Sequence, residues 1–212
     1  KIAIANFRLS WFVNKINEPV RILFFTNYNL NEFARMLYNN GLPYYVDSTM
    51  AERPPWDKQT LINLILLRNM IWKLKNGIKG INAREIEAFN RFSSINLTAL
   101  MIPVFQKGNY LRFIKLKPEW AKWIEYSMRW NFEFNMYPEL STIHAFKGGE
   151  EEIVMLDTRL PWYFYRENDL TFVKEYFARL MYIALTRAKK EFYFLDMHSN
   201  NNVFDFIRRV SS

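Results

Sequence analysis

Apolar residues recur along this chain in two rhythms, and the switches between them divide it. Val20 to Thr26 is a short apolar run closed by Pro19 on one side and by Asn27, Tyr28 and Asn29 on the other, the signature of a buried strand. Phe33, Met36 and Leu37 then follow at helical spacing and stop at Asn39, Asn40 and Gly41, after which Leu42 to Val46 reads as a second short strand. Strand, helix, glycine, strand is the opening of a parallel βαβ arrangement. From Arg53, Pro54 and Pro55 to about Pro138 the rhythm is helical. Leu61, Leu64, Ile65, Arg68, Met70, Ile71, Trp72 and Leu74 predict one helix, stopped near Asn76 and Gly77, residues 83–92 and 118–130 predict two more, and Tyr110 to Leu116 is a short β-like piece. The last third returns to alternation: a strand entering Thr142 and breaking at Lys147, Gly148 and Gly149, a strand over 151–157, a helix over 172–190, a strand over 191–196 and a closing helix over 203–210. Residues 1–19 yield no clear element. The expected architecture is α/β, a parallel sheet flanked by helices built from residues 1–52 and 139–212, with a mainly helical module, residues 53–138, inserted into it.

Composition narrows the function classes. A chain of 212 residues, 50% of them hydrophobic, can bury a substantial core, so it is not a disordered tail. It has no apolar run of membrane-spanning length and no secretory pattern at its start, so a soluble, intracellular protein with no membrane partner is expected. Cysteine is absent and the two histidines, His144 and His198, lie far apart, so no metal site is expected. The net charge of +8 points to a polyanionic partner, and roughly +7 of it falls between residues 53 and 140. Lys73, Lys75, Lys79, Lys115 and Lys117, with Lys122, are candidate phosphate contacts there, the alternative being a solvated face. Aromatic residues at 18% supply rings that could stack on bases, although most rings belong in a core.

Two stretches about thirty residues apart carry the candidate chemistry. In the first, Thr142, His144, Lys147, Gly148 and Glu150 follow one another at fixed spacing; in the second, Arg179, Leu180, Tyr182, Ile183, Ala184, Thr186, Arg187 and Ala188 do. In this order they resemble motifs V and VI of the superfamily 1 DNA helicases of the UvrD/Rep/PcrA type, whose patterns read T-x-H-x-x-K-G-x-E and R-L-x-Y-V-A-x-T-R-A. Leu23, Thr26, Asn27, Gly41, Pro43 and Tyr44 loosely match a further segment of that family. Phe25 and Asn31 stand where the family often carries arginine.

The resemblance implies a RecA-like fold, the second motor domain of a 3′ to 5′ ATP-dependent DNA helicase. It implies that Arg187 is an arginine finger directed at the γ-phosphate and that Glu150 accepts a bond from the ribose, Gly148 letting the backbone approach. Lys147 would either orient Glu150 or meet phosphate, and Thr142 and His144 would face single-stranded DNA. The inserted module would touch duplex DNA. Arg8, in Asn6-Phe7-Arg8-Leu9-Ser10, is similar to the family's N-Y-R-S arginine, with a surface arginine as the alternative. ATP with Mg²⁺ would be held mainly by another, P-loop-bearing RecA-like domain supplied in cis or in trans, because the G-x-x-x-x-G-K-[ST] cradle is missing here and the chain alone should not hydrolyse ATP. The competing expectation is a non-catalytic nucleic-acid-binding protein that keeps the helicase fold and works through its basic module. For Arg187 the plain alternative is a surface salt bridge.

Overall fold

The structure is a computed structural model that describes residues 1–16, 18–48, 50–98, 110–146, 148–166, 170–199 and 201–211. In chain order the elements are strand β1 (Ile2–Asn6), helix α1 (Leu9–Lys15), β2 (Val20–Phe24), α2 (Asn27–Asn39), β3 (Tyr45–Val46), α3 (Lys58–Lys75), α4 (Ala83–Arg91), a 3₁₀ turn (Tyr110–Phe113), α5 (Pro118–Ser127), β4 (Glu139–Thr142), β5 (Glu151–Asp157), α6 (Tyr163–Arg166), α7 (Leu170–Leu185), β6 (Ala188–Asp196) and α8 (Val203–Ser211). They group into two compact units, residues 1–35, 44–52 and 136–212 in the first and residues 36–43 and 53–135 in the second.

The first unit is a six-stranded sheet in the order β1-β6-β5-β2-β4-β3, with every pairing parallel. β2 is buried along its whole length, as a central parallel strand covered on both faces must be. Its side chains alternate between two cores. Leu23 joins Val154 and Leu156 of β5, Phe192 of β6, and Val173, Phe177, Leu180 and Ala184 of α7. Phe24 turns to the opposite face, where its ring lies 5.4 Å from Phe33 of α2, itself 5.8 Å from Phe12 of α1. The α/β parallel architecture is therefore as expected.

Several details differ from the sequence reading. The unread N-terminus forms edge strand β1 and helix α1. β3 has only two residues, and Leu42 to Tyr44 lie ahead of it outside any strand. The helix expected to reach residue 190 ends at Leu185 and the last strand starts at Ala188, not at residue 191. Thr186 turns its hydroxyl back onto the Tyr182 and Ile183 carbonyls, at 2.9 and 3.0 Å, and Ala188 pairs with Glu151. The β-like piece at 110–116 is a 3₁₀ turn with a single bridge from Ile114 to Ser93.

The second unit is helical where described. Asp57 caps α3 through the Thr60 N–H at 2.7 Å, and Asn82 with Glu85 closes a capping box on α4. Trp123 is fully buried and donates from its indole to the Leu42 carbonyl. Gly41 ends α2 at φ +67, and a Cβ there would lie 2.5 Å from Ser127 Cα and closer still to Ser127 N and the Tyr126 carbonyl carbon. Arg68 is buried too. Its guanidinium donates to the carbonyls of Ser127, Trp130 and Phe132 and lies 4.4 Å from the Phe134 ring; burial pushes its pKa down to about 10.

Candidate functional site

Thr142 closes β4 and Glu151 opens β5, and because both strands run the same way, residues 143–150 must travel from the carboxyl-end edge of the sheet to its amino-end edge. The first of the two spaced stretches thus reaches from one edge to the other. Phe146 fixes its middle: the ring is buried, lies 4.4 Å from the Arg21 guanidinium, and occupies the space a side chain at Gly149 would need. Gly148 stands at φ +87, a left-handed conformation that favours glycine, and nothing crowds it, so its requirement is conformational. Lys147 lies outside the described residues.

At the amino-end edge the two motifs meet. Arg187 occupies the turn between α7 and β6. Its carbonyl accepts from the Glu151 N–H at 2.9 Å, its Nε donates to the Ile183 carbonyl at 3.3 Å, and its Nη1 donates to the Gly149 carbonyl at 3.2 Å. Those bonds orient a guanidinium whose Nη2 has no partner among the described residues, leaving two N–H groups for an acceptor. Glu150 is exposed beside it, 4.0 Å from the Lys189 ammonium. Arg8 does not join this group. It follows β1 next to the end of β6, where the Phe7 N–H bonds Asp196, and so stands at the opposite edge.

At the carboxyl-end edge, Thr142 and His144 line a cavity of about 520 Å³ with Phe25, Thr26, Asn27, Ser48, Met50 and Ala145. Thr142 is nearly buried and its hydroxyl accepts from the Ala145 N–H at 3.3 Å. Thr26 accepts from the Asn29 N–H, and Ser48 donates to the Asn27 side chain, so the first turn of α2 faces this cavity and its dipole favours an anion there. His144 is exposed, with Nε2 2.9 Å from the Tyr176 hydroxyl. Tyr176 and Ser48 were not singled out from sequence. The Thr26-Asn27 pair carried a signal, through its motif position.

The lysines of the second unit separate into two kinds. Lys75, Lys79, Lys115 and Lys117 are exposed, Lys117 lying 4.7 Å from the Trp120 ring centre. Lys73 corrects the sequence expectation. It is buried, bonds Glu85 at 2.8 Å and Glu133 at 3.0 Å, and is a structural ion pair with no access to phosphate. Asp157, the buried residue that ends β5, is gripped by Arg159, which also reaches Glu32. Among the described residues no three or more His, Cys, Asp or Glu side chains are placed to hold a metal ion, and no helix is long and apolar enough to cross a membrane. Compared with protein-family models and with curated proteins, the chain matches none.

Proposed function

We propose that this chain is the second motor domain of an ATP-dependent DNA helicase of the UvrD/Rep/PcrA type, completing an ATP site whose P-loop domain is supplied in cis or in trans. The observation that carries the reading is the hydrogen bond from Arg187 to the Gly149 carbonyl, which unites the two motifs, through residues 38 apart, beside Glu150. Arginine suits a finger because its planar fork stays charged and bonds two oxygens. Here Arg187 is braced by main-chain carbonyls and keeps Nη2 for a γ-phosphate oxygen, while the exposed Glu150 carboxylate can accept from a ribose hydroxyl. ATP and Mg²⁺, when bound by the P-loop domain, supply the phosphoryl group and the charge that this edge would neutralise. At the other edge Thr142, His144 and the amino end of α2 suit the backbone of a single strand, and the exposed Lys75, Lys79, Lys115 and Lys117 suit a duplex. Unwinding 3′ to 5′ is part of the same proposal. In a protein uniting this chain with its P-loop domain, Arg187→Lys should lower DNA-stimulated ATP turnover by about 10³ or more, with single-strand binding held within a few-fold. Turnover at the unmodified rate would reject the finger.

The four exposed lysines also favour a second reading, a non-catalytic nucleic-acid-binding protein built on the same fold. It requires that deleting residues 53–138 abolish DNA binding together with its steep salt dependence.

A further inference from the structure

We infer that Arg21 and Phe146 are positioning residues for Arg187: together they fix its main chain and its guanidinium, and so aim the Nη2 that no described residue engages. This rests on the motor-domain reading for what Arg187 meets, and adds what aims it, two side chains at positions that neither motif specifies.

One of the bonds that hold Arg187, from Nε to the Ile183 carbonyl, reaches back one turn along its own helix. The other two come from the segment that crosses the sheet: the Gly149 carbonyl accepts from Nη1 at 3.2 Å, and the Glu151 N–H donates to the Arg187 carbonyl at 2.9 Å. The guanidinium can therefore be aimed no better than residues 149–151 are placed. Gly148 and Gly149 work against that placement, since two glycines in succession have the widest choice of backbone angles. Something beside them must hold them still.

The Phe146 ring is the wall on one side. A Cβ on Gly149 would fall 3.0 Å from its Cδ2, 2.8 Å from its Cζ and closer still to its Cε2. Arg21 pins that ring, its guanidinium 4.4 Å from the ring centre. Arg21 is itself buried and gripped by carboxylates from three neighbouring segments: Asp47 after β3 at 3.0 Å, Glu139 of β4 at 2.6 Å and Glu151 of β5 at 3.7 Å. Glu151 closes the circuit, because its carboxylate lies near Arg21 while its N–H holds Arg187. Both attachments of Arg187 thus refer to one guanidinium. Burying a guanidinium is costly, and Arg21 Nε has no acceptor among the described residues, so an apolar side chain would fill this place at less cost. It would lack the reach to three strands and a ring at once.

The test has two readouts. In the full chain, side-chain nitrogen NMR follows Arg187, whose Nη1 and Nη2 give separate signals while the Gly149 bond holds and one averaged signal when it lets go. In a protein uniting the chain with its P-loop domain, kcat and KM for ATP are measured at saturating DNA. Gly149 lies outside the left-handed region, and the three atoms that a methyl there meets first all belong to the Phe146 ring. Gly149→Ala should displace the carbonyl by about 1 Å, average the Arg187 signals and lower kcat about a hundredfold, with KM held within a few-fold. Adding Phe146→Leu removes the outer ring atoms, and should separate the signals again and recover about tenfold in kcat. Arg21→Lys keeps the charge but loses the planar fork that engages Asp47 and Glu139 through separate nitrogens, and should also average the signals and lower kcat. Parent-like Arg187 signals in either Gly149→Ala or Arg21→Lys overturn the inference, as does a parent chain whose signals are already averaged. A double variant worse than Gly149→Ala overturns it too, since the loss is then one of packing and not of placement. Signals that respond in both single variants while kcat stays at the parent rate uphold the positioning and count against the finger.

Discussion

Gly41 and Gly77 make a matched pair for testing how this chain is built. Both stand in the left-handed region, at φ +67 and +63, each in the turn that closes its helix. A methyl at Gly77 meets nothing within 4 Å, whereas at Gly41 it drives into the main chain of Tyr126 and Ser127. Alanine at position 77 should therefore cost only the conformational term, about 1 kcal/mol. At position 41 the same term is joined by overpacking against backbone that cannot rotate aside, about 1–3 kcal/mol more, for a sum of roughly 2–4 kcal/mol. Five of the seven tryptophans (Trp56, Trp72, Trp120, Trp123 and Trp130) lie in the second unit, so intrinsic fluorescence during urea unfolding reports mainly on it. With a slope of about 2 kcal/mol per molar urea, Gly77→Ala should move the midpoint down by about 0.5 M and Gly41→Ala by about 1–2 M. Equal shifts would refute the reasoning, because the two sites differ in crowding alone. A large shift for Gly41→Ala would also explain, from packing, why glycine stands ahead of Pro43 and Tyr44.

The other predictions concern charge. Lys73→Met leaves the Glu85 and Glu133 carboxylates without their cation and should cost about 3–5 kcal/mol in chemical denaturation, while glutamine at Lys75, Lys79, Lys115 or Lys117 should leave stability within about 0.5 kcal/mol and lower the salt slope of DNA binding instead. Burial works against the Lys73 charge, but Glu85 and Glu133 outweigh it and hold the ammonium above its ordinary value of 10.5. The stability it contributes should thus be whole below pH 10.5 and fade as pH rises through the folded value, a fade that the Lys73→Met melting profile should lack. The Thr60 N–H holds the Asp57 carboxylate below its ordinary 3.8, so its contribution is present above that pH and is lost on acidification through the lower folded value. Asp57→Ala should cost about 1 kcal/mol at pH 7 and progressively less as the pH falls through that lowered folded value, as followed by circular dichroism.

What could be read from the chain was governed by burial. β2 and β5 are covered on both faces, so their apolar runs announced them. β1 is an edge strand in which Ile2 and Ile4 are exposed and alternate with small alanines, so it lacks the profile of a core strand. β6 begins with Ala188, Lys189 and Lys190, which suit a helix as well as a strand, and only pairing with β5 decides between them. Lys73 misled because its partners are 12 and 60 residues away, beyond the reach of any local rhythm. In the candidate site, the two stretches that the sequence set apart were legible, and Arg187 joins them through the Gly149 carbonyl. The neighbours of His144 were not, since Tyr176 lies on α7 but ahead of the residues that form the second stretch.

The crossing formed by residues 143–150 has a mechanical corollary. Traversing a sheet five residues deep and two strands wide requires about 19 Å. Residues 143–146 coil into a single turn, closed by the Phe146 N–H on the Thr142 carbonyl, and advance about 5 Å. The five Cα-to-Cα steps from Phe146 to Glu151, even drawn out fully, add at most about 18 Å. The link therefore has only about 4 Å of slack, and a larger displacement at either end must be hauled through to the other or break the turn between them.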